Sequence, residues 1–276
     1  MSAFIERITV FCFAASYGVA LVLELWHLVA PRPILRLVGI GCGAAGLLAH
    51  TFYVLAQPLS LETPTGSLLL LAWILAVFYV YGSIHHIRQA WGLFVLPLVL
   101  GLVVLAVLAP PPREAEPTIW SDFDGNRFWG LIHGILVLLA GVGISVAFVA
   151  SVMYLVQLRR LRAKRAPDAG MKMMSLERLE AMNRKAILWA FPLLTAGLIA
   201  GALLQWHQGQ FLVGWDSPKI ASALGLWIVF AILLYLRYGA HARGRQTAML
   251  TLLAFAILIC ALLSPVHPFM RGGGGP

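Results

Sequence analysis

The chain has 276 residues, 61% of them hydrophobic and only 11% charged, with a mean hydropathy of +0.87. A water-soluble domain carries about a quarter of its residues as charged side chains, so a soluble enzyme or a free-standing nucleic-acid-binding module is excluded and an integral membrane protein is implied. The net charge of +9 has a topological explanation that requires no nucleic acid.

Crossing a bilayer takes about 20 apolar residues, and the apolar runs predict eight spans at about 8–30, 34–57, 66–87, 91–109, 127–158, 186–206, 219–238 and 247–265. The first run is long and lacks a small-residue cleavage motif, so it reads as a retained span rather than a signal peptide. Within it, Glu24 is the one carboxylate inside any span, and His27, three residues on, shares its helical face. That pair is open between a proton relay, a hydrogen-bonded couple, and a carboxyl protonated or paired with Arg32 or Arg36. Pro31-Arg32-Pro33 separates the first two spans and Pro110-Pro111-Pro112 ends the fourth. Lipid offers backbone amides no partner, so spans this apolar are helices. The expected fold class is an all-α integral membrane protein, one domain over 1–276 built as a bundle of about eight transmembrane helices. Cys12, Cys42 and Cys260 lie in apolar runs without a C-x-x-C pair, which suggests small buried residues rather than a redox dithiol or zinc site.

Of the 20 Lys and Arg residues, 15 fall in the connections between spans one and two, three and four, five and six, and seven and eight. The positive-inside rule therefore puts both termini outside the cytoplasm, together with the 206–219 loop. The 159–185 connection is a basic cytoplasmic segment, open between a loop and a short amphipathic helix on the anionic inner leaflet. Arg271 to Pro276 is glycine-rich and reads as a flexible tail.

Eight histidines are many for so apolar a chain, and their depths differ. His133 lies about one turn into span five from its outer end, and His267 just past the outer end of span eight. His207 opens the outer loop, and His50 lies about two turns below the outer surface. His85, His86 and His241 belong to cytoplasmic connections, where a polar ring is ordinarily an interfacial group. Burial of His50 within hydrocarbon marks it as functional. For His133 and His267, position alone leaves a structural and a ligating role open. Two imidazoles at one level, one for each face, are what a six-coordinate haem requires. The outer loop holds Trp206, Phe211 and Trp215 beside Lys219. Interfacial enrichment accounts for one Trp, and a helix start at Asp216-Ser217-Pro218 accounts for the Asp. Neither explains the whole cluster. Haem offers a plane for stacking, propionates for Lys219 or Arg127, and an anion that suits the N-terminus of span seven.

Trp215-Asp216-Ser217-Pro218-Lys219 followed by Trp227-Ile228-Val229-Phe230-Ala231 resembles the tryptophan-rich WWD segment of the cytochrome c assembly family, with its CcsA, CcmC and HemX-type members. Leu68 to Trp73, Trp91 to Pro97, Phe128 to His133 and His50-Thr51 resemble that family's third, fourth, His-bearing and second spans. The similarity runs along nearly the whole chain, and eight spans match the short HemX-like members. The resemblance implies that His133 and His267 are the axial ligands of haem iron, the metal site, beside the WWD-like loop. It implies a haem-binding surface of Trp206, Phe211, Trp215, Asp216, Lys219, His207 and His50, taking haem b as substrate or ligand. It further implies haem delivery to apocytochrome c at the outer face of a bacterial-type inner membrane, with a second, CcsB-like membrane protein. The chain would then be a subunit of a cytochrome c haem lyase rather than a stand-alone enzyme. The alternative is a HemX-like regulator or scaffold of haem biosynthesis without transfer activity. Two positions depart from the fuller family pattern: Gln208 to Val213 separates Trp206 from Trp215, and Tyr235 stands where the classical synthetase carries a late histidine.

Overall fold

A computed structural model describes residues 9–57, 59, 61, 63–85, 90–109, 125–164, 173–207, 218–238 and 244–263. These form eight helices and, among the described residues, no strand: α1 (Val10–Val29), α2 (Pro33–Ala56), α3 (Pro64–His85), α4 (Gly92–Leu108), α5 (Gly125–Arg162), α6 (Leu176–His207), α7 (Pro218–Tyr238) and α8 (Gly244–Leu263). Six are long and apolar enough to cross a membrane, whereas α4 and the Ile220–Leu236 stretch of α7 are shorter apolar helices. At 1.5 Å per residue α4 spans about 25 Å, a shortfall against the roughly 30 Å hydrocarbon core that local thinning accommodates. The protein is an all-α, multi-pass membrane protein. Proline opens α2, α3 and α7, where its missing N–H costs nothing. At α3 the Gly66 N–H also donates to Thr63 Oγ1 at 3.1 Å.

The helix boundaries follow the apolar runs except at the α5–α6 hairpin. There α5 continues to Arg162 and α6 starts at Leu176, ten residues ahead of the expected span. The physical reason is an amphipathic first turn. Leu179 is fully buried while Glu177, Arg178, Arg184 and Lys185 stay exposed, and Ser175 Oγ caps the turn by accepting the Arg178 N–H at 3.3 Å. Helix thereby takes in both ends of the basic connection, up to Arg162 and from Leu176.

α1 to α4 pack on one another, α5 to α8 form a second group, and α5 joins the two by touching α3 and α4. The first core is centred on Phe13, Tyr17, Tyr79 and Leu96, the second on Ile144, Leu194 and Phe230. Outward faces carry Phe11, Leu108 and Trp189, each more than 70% exposed. Such an apolar surface would drive aggregation in water but is the natural boundary with lipid. Because lipid is as apolar as leucine, close packing between helices relies on small residues. On α2 the buried residues are Gly39, Gly43, Gly46 and His50, one continuous face. Tyr17 lies on Gly46 and Tyr79 on Gly43, each ring where a glycine Cβ would otherwise stand.

Polar side chains tie the second group. Asn183 Nδ2 donates to Ala147 O (3.1 Å), Ser151 Oγ (2.9 Å) and Thr251 Oγ1 (3.2 Å), linking α6 to α5 and α8. The Ser151 and Thr251 hydroxyls donate to Ala147 O and Thr247 O of their own helices, so their lone pairs face Asn183. Replacing Asn183 by Ala is expected to destabilise the detergent-solubilised protein by about 1 kcal/mol, read as a lowered thermal midpoint with unchanged helix content. An unaltered midpoint would show that the node contributes nothing to holding the three helices together.

Candidate functional site at the α5 entrance

His133 stands on α5 eight residues from its start, facing α6. Its Nδ1–H donates to the Gly197 carbonyl at 2.7 Å. A carbonyl only accepts, so Nδ1 carries the proton and, in the neutral ring, the lone pair is on Nε2. Two glycines make this seat. A Cβ on Gly201 would come within 2.8 Å of His133 Nδ1, and one on Gly197 within 2.9 Å of Val137 Cγ2. Gly197 and Gly201, four apart on one face of α6, were not singled out from the sequence, although small residues at that spacing in an apolar run are a legible packing signal. On the other side of the same turn, Leu61 Cδ1 is 3.0 Å from where a Cβ of Gly134 would lie. The α2–α3 connection therefore reaches the same end of the bundle.

The remaining elements converge there too. Trp206 lies five residues beyond Gly201, about 8 Å along the α6 axis, and is 67% exposed at the helix end. Phe128 and Trp129 pack edge to face, centroids 5.6 Å apart, near the start of α5. α8 runs antiparallel to α5: Gly244 abuts Tyr154, and Leu258 Cδ2 is 3.8 Å from a Cβ position on Gly141. In that register Leu263, the last described residue of α8, is level with Leu136, one turn from His133. His267, Phe211, Trp215 and Asp216 lie outside the described residues, as do the side chains of His207, Lys219 and Arg127. His86 and His241 lie outside them as well.

His50 belongs to the other helix group. It is fully buried, six residues from the end of α2, with Phe13 stacked on its ring at 4.0 Å and an interplanar angle of 3°. Its Nδ1 shares a 3.4 Å hydrogen bond with the Tyr17 hydroxyl, and its Nε2 has no partner. An orphaned buried ring nitrogen is costly in hydrocarbon. The aromatic cage of Phe13 and Tyr17 was not anticipated. Four residues apart on α1, the two share a face, and only the tertiary fold brings that face to His50.

At the opposite end His27 uses Nδ1 to donate to Arg32 O at 3.1 Å, closing the α1–α2 turn. Glu24 is buried, with Arg36 and His27 as neighbouring basic residues. Its Oε1 would lie 2.9 Å from a Cβ on Gly92, next to Tyr79. His85 stacks on Tyr81 at 4.0 Å and donates to Tyr81 O at 3.0 Å, a satisfied interfacial ring. Cys12, Cys42 and Cys260 form no disulfide. No cluster of three His, Cys, Asp or Glu residues able to hold a bare metal ion occurs among the described residues.

The sequence model of the cytochrome c assembly protein family matches residues 62–267, well over half of the chain. The chain belongs to the cytochrome c assembly protein family. The match runs from the α2–α3 connection to His267, so it contains α3 to α8 and the loop after α6. Over longer stretches the chain is similar to the cytochrome c biogenesis protein CcsA of Guillardia theta, 25% identical over 241 residues that cover 81% of this chain and 79% of the relative. CcsA of Synechococcus elongatus is 26% identical over 240 residues, covering 71% and 73%. Protein HemX of Brevibacillus brevis is 25% identical over 196 residues, covering 70% and 69%. No solved structure matches the chain.

Proposed function

We propose that this protein handles haem for c-type cytochrome biogenesis, binding it at the end of the bundle where α5 begins and α6 and α8 finish. The observation that carries this reading is the His133 seat. A ring nitrogen anchored to a backbone carbonyl is the usual outer-shell arrangement of a metal-ligating histidine, because it fixes the tautomer and aims the other nitrogen. The donor chemistry fits haem: neutral imidazole from His133 Nε2, and a second imidazole from His267, as axial ligands. Trp206, Phe211 and Trp215 supply flat apolar surface, Asp216 orders the loop, and Lys219 meets a propionate. His207, beside Trp206, lies at the rim. His50, with its unpartnered Nε2, is a separate intramembrane contact for the same ligand. When bound, haem supplies the vinyl groups to which cysteine thiols of an apocytochrome add. The chain's own residues hold and orient it, and the chain carries no C-x-x-C thiol pair for the redox part of that chemistry.

On this reading the ligand is haem b and the recipient an apocytochrome c. A second, CcsB-like membrane protein completes a haem lyase in a bacterial-type inner membrane. The bias of Lys and Arg toward the opposite connections supports a haem end outside the cytoplasm. The first experiment is the absorption spectrum of detergent-purified protein with His133→Ala and His267→Ala variants. A low-spin bis-histidine spectrum that both variants lose supports the reading. Protein that stays colourless after haem addition removes it.

The likeness to HemX, together with the exposed charges on the first turn of α6, supports a second reading: a regulator that engages a cytosolic enzyme of haem biosynthesis. Deleting residues 165–172 leaves the Ser175 cap and buried Leu179 in place. Under the regulatory reading, this deletion lowers that enzyme's abundance while haem binding is unchanged. Under the delivery reading, it leaves the enzyme level untouched.

A further inference from the structure

Far from His133, α5 and α7 finish and α8 begins, and a half-open cleft of about 750 Å3 lies among their ends. Its walls differ in chemistry. Tyr154, Arg162 and Arg245 form a polar rim, and Leu158, Leu236 and Met249 an apolar side. Glu180, the carboxylate packed against Gly244, is outnumbered by the two guanidinium groups. We propose that this cleft binds one anionic phospholipid, its phosphate held between Arg162 and Arg245 and an acyl chain laid over Leu236 and Met249.

Three features favour that occupant. The arginines sit at the ends of apolar helices, the level at which lipid headgroups lie. Guanidinium matches the lipid phosphodiester with paired N–H donors, and two such cations favour a headgroup of net negative charge over one whose phosphate is balanced by a choline cation. The apolar side is continuous with lipid-facing surface: Met249, which lines the cleft, is 54% exposed, and Ile232 and Leu253 on the same two helices are exposed as well. An acyl chain can therefore pass from cleft to bilayer without crossing polar surface. A small anion would leave that wall uncovered. The cleft's volume also falls within the roughly 300–1,000 Å3 typical of sites for small ligands.

The test is native mass spectrometry of the full chain in detergent with phosphatidylglycerol or phosphatidylcholine. Retention of phosphatidylglycerol in preference to phosphatidylcholine is expected. Arg162→Gln and Arg245→Gln should each weaken it about fivefold, and the double variant should abolish the preference. Arg184→Gln, which removes an exposed charge of α6 outside the cleft, should leave it intact. A double variant that keeps the preference, or an Arg184→Gln variant that loses it equally, overturns the proposal in favour of diffuse surface charge. Displacement of the lipid by millimolar inorganic phosphate, or by haem, overturns it in favour of a small-anion or haem site. Thermal midpoints of all variants, expected to match the parent, separate these outcomes from misfolding.

Discussion

Replacing His133 by Gly is expected to abolish the low-spin haem spectrum of the purified protein, and added imidazole to restore it. The cavity left by the side chain admits the free ligand, whereas the Gly197 carbonyl that anchored the ring remains. A sharper version keeps the histidine and disturbs only its seat. Gly201→Ala puts a methyl 2.8 Å from Nδ1, too close for the ring to keep its hydrogen bond to Gly197 O. Loss of such an outer-shell contact typically weakens metal binding 10- to 100-fold, so haem titration should show a drop of that order. Gly225→Ala, where no atom lies within 4 Å, should titrate like the parent. Equal affinity of the Gly201→Ala and parent proteins would detach the haem site from this ring.

Gly46→Leu is expected to produce the largest loss of stability. Even a single Cβ there would lie 2.9 Å from two ring atoms of Tyr17 and 3.1 Å from Ser16 Cβ, so α1 and α2 must separate. Overpacking of this kind costs roughly 3 kcal/mol, and it also withdraws the Tyr17 hydroxyl from His50. On the same helix, Gly41→Leu meets nothing within 4 Å and points an apolar group at lipid, so its thermal midpoint should be unchanged or raised. Similar melting of the two variants would refute the assignment of the buried face of α2. Together the pair separates helix propensity, which favours leucine at both sites, from helix-to-helix distance.

The spans were legible because a bilayer demands long apolar runs, and their boundaries needed little beyond counting. The start of α6 was not, because five charges between 177 and 185 conceal a buried stripe at Leu179, Asn183 and Ile187. Tertiary contact with α5 and α8 turns that stripe inward. In the candidate site the depth of His133 could be read from its position in the run, but the tautomer could not. It depends on a carbonyl 64 residues away, exposed to the ring because Gly197 and Gly201 have no side chains. His50 was legible as a polar group in hydrocarbon, yet its partner Tyr17 and the stacked Phe13 depend on how α1 crosses α2. At His27 the local turn adds a partner that the spacing could not show, the Arg32 carbonyl.

α5 has 38 residues and α6 has 32, which at 1.5 Å per residue are about 57 Å and 48 Å long. A whole bilayer, headgroups included, is about 40–45 Å thick. The hairpin is therefore longer than the membrane is thick, and tilt together with its two ends takes up the excess. Because His133 is keyed to Gly197 O of α6 near one end of the same two rods, a change in the tilt of the hairpin would carry the histidine and its anchoring carbonyl together.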